Sequence, residues 1–216
     1  MDNHIIFPIG PGRCGTSLVT GLLYQMGVWV TNGKLKTESY NPKGFYENVW
    51  FKLFVRSIVQ TRGMPCTTEA WDLPTQPYDN VHFRKQLFDT LRSHDGYSDG
   101  PLALKNPHIC NILDTFVRYI PDATYLFVER NEEDTIRSFV NKPSHKGVPV
   151  KGIAEFVVNA NIACREVATL TVKSEDIIAG NTQVLEDLVE SVGLKWDADK
   201  AAEFIEPKIW HGKINT

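Results

Sequence analysis

Short apolar runs alternate along the chain with longer segments in which apolar residues recur every three or four positions. The runs of strand length lie at 4–9, 28–30, 101–105, 123–129 and 170–174. The segments of helical period lie at 16–26, 47–63, 81–94, 109–119, 131–140, 153–167 and 181–194. Such alternation is typical of parallel strands joined by crossover helices. The pattern predicts a three-layer α/β fold, with a central, mostly parallel sheet of about five strands flanked by helices.

Two irregular segments interrupt this alternation, at 31–46 and 64–80, and both are rich in turn-forming residues. The sequence has no internal repeat, low-complexity tract or linker. We therefore interpret both segments as loops over one sheet and predict a single domain over 1–216. Long loops of this kind in a compact domain are often functional.

Composition and charge narrow the class of protein. The chain has 216 residues, of which 42% are hydrophobic and 23% charged, which is typical of a globular protein with a substantial core. The net charge of −3, without a basic block, argues against nucleic acid or an anionic membrane surface as a partner. The start MDNHIIFPIG has no signal-peptide pattern, and no apolar run approaches the ~20 residues of a membrane span, so we expect a cytoplasmic protein.

The four cysteines are scattered and form no C-x-x-C pair or cysteine-histidine cluster of zinc spacing. We interpret Cys14, Cys66, Cys110 and Cys164 as free thiols and expect no metal. Cys14 precedes a predicted helix start, where a thiol can become reactive. The simpler interpretation is a small residue in a tight loop.

The stretch GPGRCGTS connects the first predicted strand to the first predicted helix. Gly10 and Gly15 keep the glycine spacing of the nucleotide-binding loop G-x-x-x-x-G-K-[ST], but Thr16 replaces the lysine. A strand, a glycine-rich turn and a helix N-terminus together favour anion binding, because unpaired backbone N–H groups converge there. Arg13 adds a permanent charge suited to bidentate contact with phosphate or sulfate. The alternative is a tight turn without a ligand.

This loop resembles the 5′-phosphosulfate loop of sulfotransferases that use 3′-phosphoadenosine-5′-phosphosulfate (PAPS), which runs along the lines of G-x-x-[RK]-[ST]-G-[TS]-[TS]. Cys14 stands where that family has Ser or Thr. The resemblance implies a P-loop-like fold and PAPS as co-substrate. It also implies a 5′-phosphosulfate site built from Gly12, Arg13, Cys14, Gly15, Thr16 and Ser17.

A second motif of the same family is an arginine at a strand end, followed eight positions later by a serine on the next helix. ATYLFVERNEEDTIRSF fits it with Arg130 and Ser138, and the resemblance assigns both residues to the 3′-phosphate. Their predicted elements place both at the carboxyl edge of the sheet, where α/β proteins usually bind ligands. The alternative is that Arg130 pairs with Glu129 or Glu133.

PLALKNPHIC resembles the K-D-P segment of these enzymes, with Lys105 and Pro107 matching and Asn106 in place of Asp. The resemblance implies that Lys105 contacts the transferring sulfuryl group. Together with Arg13, Lys105 would stabilise charge on the equatorial oxygens and on the leaving phosphate, as such groups do in phosphoryl transfer.

Two residues compete for the role of general base, which takes the proton of the acceptor hydroxyl or amine. Glu47 lies in NPKGFYEN, which resembles a substrate-binding loop of several family branches, and we favour it. The alternative is that Glu47 interacts with the first turn of the helix it begins. His108 lies three residues beyond Lys105, whereas the K-[ST]-H histidine of the cytosolic branch lies two beyond its lysine.

Other basic residues are weaker candidates for the 3′-phosphate. Lys146 and Lys151 lie in the loop after the Ser138 helix, and Lys213 lies in a tail that loosely resembles the family's C-terminal segment. For the loop lysines, a solvated surface is the simpler interpretation. The expected partners are the nucleotide and a small-molecule, sugar, lipid or peptide acceptor.

Two other functions remain open at this point. A divergent small-molecule kinase would need a phosphate-binding lysine and a magnesium-binding Asp after a strand. Position 16 is Thr, and the strands end in Lys105, Arg130 and Lys173. A non-catalytic nucleotide-binding protein on the same fold would lack the base.

Overall fold

A parallel β-sheet of four strands forms the centre of the structure, a computed structural model that describes residues 3–33, 37–38, 41–62, 82–142, 145 and 147–206. The strands are β1 (Ile5–Ile9), β2 (Leu102–Ala103), β3 (Thr124–Glu129) and β4 (Leu170–Lys173). Their order in the sheet is β2-β1-β3-β4, and every neighbouring pair is parallel. The predicted α/β class and parallel sheet are confirmed.

The prediction of about five strands is corrected to four within the described residues. The missing strand is the segment at 28–30, which meets the sheet only through a bridge between Trp29 and Leu102. The Trp29 N–H donates to the Pro101 carbonyl at 3.0 Å, and the Ala103 N–H donates to the Trp29 carbonyl at 2.8 Å. The segment therefore lies beside the edge of the sheet without forming a ladder.

Nine α-helices are described: α1 (Thr16–Gln25), α2 (Val49–Thr61), α3 (Phe83–Asp95), α4 (Leu113–Tyr119), α5 (Glu132–Val140), α6 (Val150–Val167), α7 (Ser174–Ile178), α8 (Gln183–Ser191) and α9 (Ala198–Phe204). Six of the predicted helices are confirmed, with ends that shift by a few residues. The described helices include none that is both apolar and long enough to cross a membrane.

The helix predicted at 109–119 is two pieces. A 3-10 helix covers Pro107–Asn111, and α4 follows it. Ile112 separates them with φ −139° and ψ 27°, a combination outside the helical region. Helices α7 and α9 were not predicted, because five or seven residues are too few to show a hydrophobic period.

Both faces of the sheet are buried, as expected for parallel strands covered by crossover helices. Side chains of β1 alternate, so that Phe7 and Ile9 pack under α2, α3, α4 and α6, while Ile6 packs under α1 and α8. Strand β3 alternates in the same way, with Phe127 on the first face and Leu126 on the second. Because both faces are buried, successive residues are apolar whichever face they occupy, and β1 and β3 therefore appear in the sequence as continuous apolar runs.

The carboxyl ends of three strands meet at one edge of the sheet. Strand β1 leads into Gly10, β2 is followed by Lys105, and β3 is followed by Arg130. The glycine-rich loop and the two basic residues singled out in the sequence therefore share the edge where open α/β sheets bind ligands.

Candidate active site

The turn between β1 and α1 requires backbone conformations that favour glycine. Gly10 has φ 154°, and a Cβ atom built there would lie 2.5 Å from Cys14 Sγ and 2.9 Å from the Val128 carbonyl oxygen. Gly15, with φ 103°, precedes α1 and has no side chain to cap it. The backbone of Arg13 has the left-handed conformation, with φ 72°, which is uncommon for a residue other than glycine. Backbone strain of this kind is common at ligand-binding loops, where contacts with the surrounding structure stabilise the unfavourable conformation.

The thiols beneath this loop are structural. Cys14, Cys110 and Cys164 are free and buried. Burial raises the pKa of Cys14 to about 12, which argues against the reactive-thiol interpretation. The Cys110 thiol donates to the Gly10 carbonyl at 3.0 Å and lies 3.4 Å from Cys164 Sγ. Cys66 lies outside the described residues, and within them no cluster of His, Cys, Asp and Glu could hold a metal ion.

The two motifs singled out for phosphate are in direct contact. Arg13 Nε donates to Ser138 Oγ at 3.1 Å, and Arg130 Nη1 donates to the Arg13 carbonyl at 2.8 Å. Arg130 is only 5% exposed, and this burial lowers its pKa from the ordinary value. Glu129, one of the alternative partners considered for Arg130, forms an ion pair with Arg165 at 2.7 Å. The glycine-rich loop, the end of β3 and the helix α5 therefore form one basic site.

Lys105 lies at the other side of the same loop. Its side chain is 5% exposed, and its Nζ donates to Glu47 Oε1 at 2.8 Å, to the Phe45 carbonyl at 3.0 Å and to Ser17 Oγ at 3.1 Å. Ser17 Oγ in turn donates to the Phe45 carbonyl at 3.3 Å. The Lys105 ammonium thus joins the glycine-rich loop to the segment that contains Glu47.

Glu47 is held ionised by this contact. Burial would raise the pKa of Glu47, but the charge and hydrogen bond of Lys105, with smaller contributions from Lys52 and His108, outweigh burial and leave the pKa below its ordinary value. At the start of α2, Glu47 interacts with the first turn through the charge of Lys52, but it does not cap the helix. Asn48 caps that helix, because its Oδ1 accepts from the N–H groups of Trp50 and Phe51.

The backbone beside Glu47 has features that the sequence did not reveal. The backbone of Tyr46 has the left-handed conformation, with φ 52°, and the residue is only 4% exposed to solvent. Its ring packs between Tyr24, at 5.8 Å, and Phe204, at 6.0 Å between centroids. A left-handed non-glycine residue costs on the order of 1 kcal/mol, which these contacts offset. Because the turn at Tyr46 joins Phe45 to Glu47, both neighbours can reach the same Lys105 ammonium.

His108 lies in the 3-10 helix, close enough to Glu47 for each side chain to affect the pKa of the other. Burial lowers the pKa of His108, and Lys52 and Lys142 add to that effect while Glu47 opposes it. The His108 N–H donates to Asn106 Oδ1 at 2.8 Å, so Asn106 starts this helix as a cap. Within the described part of the chain, the imidazole makes no hydrogen bond to Lys105, whereas the Glu47 carboxylate does.

Of the three weaker candidates, Lys151 lies within the described residues. Lys151 is on the surface, with its side chain 87% exposed and 3.8 Å from Glu155. Lys146 and Lys213 lie outside the described residues.

Comparison with known proteins gives a match by structure. The sequence matches no family model, and no curated protein matches it. The fold is similar to a sulfotransferase domain from the curacin biosynthetic pathway, which is 15% identical, with 99% of this chain and 81% of that chain covered and a TM-score of 0.57. It is also similar to the sulfotransferase domain of the Synechococcus PCC 7002 olefin synthase, which is 15% identical, with 98% and 83% covered and a TM-score of 0.54. The chain therefore has the α/β fold of these sulfotransferase domains.

Proposed function

We propose that this protein is a sulfotransferase that moves a sulfuryl group from PAPS to a hydroxyl or amine of an acceptor. One observation carries the proposal: the Arg13, Arg130 and Ser138 cluster and the Lys105–Glu47 pair both include contacts to the same glycine-rich loop, at Arg13 and at Ser17. A basic site with a carboxylate beside it suits transfer of a sulfuryl group from a phosphate to an acceptor, because the basic residues stabilise negative charge and the carboxylate can take the acceptor's proton. The similarity in fold supports the same conclusion.

The residues present fit the nucleotide. Gly15 leaves the first turn of α1 without a side-chain cap, so its N–H groups suit the 5′-phosphosulfate, with Arg13, Cys14, Thr16 and Ser17 around them. Arg130 and Ser138 would hold the 3′-phosphate. The buried Nδ2 of Asn106, the residue after Lys105, makes no hydrogen bond within the described part of the chain, so this donor is left for a ligand.

When bound, PAPS supplies the sulfuryl group and a phosphate leaving group. Lys105 and Arg13 then neutralise charge that develops on the sulfuryl oxygens and on the leaving phosphate. Glu47 would accept the acceptor's proton as the bond from sulfur to the acceptor oxygen or nitrogen forms and the S–O bond to the leaving phosphate breaks. The pKa of Glu47 lies below its ordinary value, so its carboxylate is ionised and able to accept a proton at neutral pH. His108, whose pKa is also lowered, is the second candidate for that proton.

Calorimetry with adenosine 3′,5′-bisphosphate, compared with ATP plus magnesium, tests the nucleotide. We expect the bisphosphate to bind without magnesium and more tightly than ATP, because ATP lacks the 3′-phosphate that Arg130 and Ser138 would recognise. Tighter, magnesium-dependent ATP binding would indicate a kinase. Nucleotide binding without sulfuryl transfer to any supplied alcohol, phenol or amine would favour a non-catalytic binding protein.

A further inference from the structure

A buried network of polar residues lies next to Glu47, on the side away from the glycine-rich loop. Asn48, which follows Glu47, is fully buried, and its amide uses its full hydrogen-bonding capacity. Its Oδ1 accepts from two N–H groups of α2, at 3.0 and 2.9 Å. Its Nδ2 donates to the Val30 carbonyl at 3.0 Å and to Asp95 Oδ2 at 2.6 Å. Asn48 is therefore fixed to three separate parts of the fold.

Asp95 is the centre of this network. It is 8% exposed, and the same Oδ2 atom also accepts from Thr31 Oγ1 at 2.7 Å. The Asp95 carbonyl accepts from Asn32 Nδ2 at 2.8 Å. Thr31 Oγ1 in turn accepts from the Gly33 N–H at 2.9 Å. Within the described ranges, the donors to this carboxylate are all neutral.

The position of Asp95 is unfavourable for the helix that contains it. Asp95 is the last residue of α3, and a negative charge at a helix C-terminus opposes the helix dipole. A largely buried carboxylate also costs free energy unless its hydrogen bonds are made. Its hydrogen bonds to Thr31 and Asn48 provide that compensation, and they act on the segment next to Glu47.

We propose that Asp95 is a positioning residue, which acts through Asn48 to hold Glu47 against Lys105. Asp95 touches neither the loop nor Lys105, so its effect passes through one intermediate residue. Between Tyr46, held left-handed by aromatic packing, and Asn48, held by Asp95, the backbone of Glu47 is fixed on both sides. The catalytic value of this arrangement rests on the proposed function, but the positioning itself does not.

The direct test is the pKa of Glu47, measured by NMR of carboxyl-labelled glutamate, with Glu47→Gln used to assign the signal. Lys105, Lys52 and His108 are the charged or titratable groups that affect Glu47. In Asp95→Ala, Asn48 Nδ2 and Thr31 Oγ1 lose their acceptor. We expect Glu47 to loosen from Lys105 and its pKa to rise toward the ordinary value of 4.5.

Asp95→Asn separates positioning from charge. Both hydrogen bonds end on the single atom Oδ2, so the carbonyl oxygen of an asparagine can accept both. We expect Asp95→Asn to keep the pKa of Glu47 at its wild-type value. An upward shift in Asp95→Asn as large as in Asp95→Ala would overturn the proposal, because Asp95→Asn keeps the hydrogen bonds to Thr31 and Asn48, and loss of the negative charge would by itself lower the pKa of Glu47.

Asn48→Ser removes the hydrogen bond between Asn48 and Asp95 by changing the donor. This variant replaces Asp95→Ala in the test if Asp95→Ala does not fold. Serine is a good N-cap, so α2 keeps its start, but its short side chain cannot also reach Val30 and Asp95. We expect the same upward shift of the Glu47 pKa. An unchanged pKa in folded Asn48→Ser, or in folded Asp95→Ala, would refute the positioning role.

Tyr125→Phe is the matched control for stability. It removes a buried hydrogen bond, from Tyr125 Oη to the Ile120 carbonyl at 3.0 Å, in a part of the core away from Glu47. We expect a lower melting temperature with no change in the pKa of Glu47, which separates positioning from a loss of stability. If the wild type fails to bind adenosine 3′,5′-bisphosphate, the proposed function fails, while the NMR comparison still decides the role of Asp95.

Discussion

Lys105→Met is the substitution whose energetic effect follows most directly from the structure. Methionine is close to lysine in length but cannot donate, so Glu47 loses its ionic partner while Ser17 and the Phe45 carbonyl lose a donor. Removing one member of a buried ion pair costs about 3–5 kcal/mol. Because Glu47 remains 21% exposed, we expect the low end, about 3 kcal/mol at pH 7. For a chain of this size, that lowers the melting temperature by about 6–12 °C.

The pH dependence of this loss tests its cause. In the wild type, the pKa of Glu47 is lowered on folding, so its contribution to stability is present above about 4.5 and is lost as the pH falls through the folded-state value. In Lys105→Met, burial acts on Glu47 without the opposing charge, so its pKa rises above the ordinary value. The free-energy deficit of the variant should therefore shrink between pH 7 and pH 4, as Glu47 takes up a proton.

Urea unfolding of four proteins measures the coupling: the wild type, Lys105→Met, Glu47→Gln and the double variant. In the double variant no unpaired carboxylate remains, so we expect it to be more stable than the sum of the single effects predicts, by about 2 kcal/mol. Single effects that add to within ~0.5 kcal/mol, with a deficit independent of pH, would show that Lys105 and Glu47 do not act as a pair in solution.

Three further predictions concern the site. Glu47→Gln should lower turnover by ~10²–10⁴-fold, while calorimetry shows unchanged nucleotide affinity. His108→Ala should lower turnover by a smaller factor, and the reverse ranking would assign the role of general base to His108. Arg130→Ala should weaken adenosine 3′,5′-bisphosphate far more than adenosine 5′-phosphate, and equal losses would remove the assignment to the 3′-phosphate. Cys14 should resist iodoacetamide in the native protein, because its thiol is buried with a pKa of about 12; rapid alkylation, read by mass spectrometry against urea-unfolded protein, would contradict its burial.

Much of the fold could be predicted because parallel strands and their helices leave a strong pattern. Strand β3 is a continuous apolar run, and α6 buries Ile153, Val157, Ala160 and Cys164 at helical spacing. The strand at 28–30 was overpredicted because an apolar tripeptide gives no information about whether a neighbour pairs along its length. The break at Ile112 was missed because the apolar period runs through it, while the backbone does not remain helical.

The candidate site was predictable where local chemistry identifies a residue. Arg13 and Lys105 stand beside glycine or at the end of a strand, and those positions are visible in the sequence. Asn48 and Asp95 were not identified, because their pairing joins positions 47 apart and depends on where α2 and α3 pack. A single asparagine or aspartate among many polar residues carries no sign of such a long-range contact.

The contacts around the glycine-rich loop also have a consequence for folding. They join positions separated by 125, 117 and 88 residues, so most of the chain must be in place before the basic cluster exists. Contacts of such long range form late, since the chain first loses loop-closure entropy. A nucleotide that binds this cluster would therefore select the complete native state over partly folded forms, and its stabilising effect would grow as RT ln(1 + [L]/Kd). Recovery of nucleotide binding during refolding would thus report the final step of assembly, after the helices have formed.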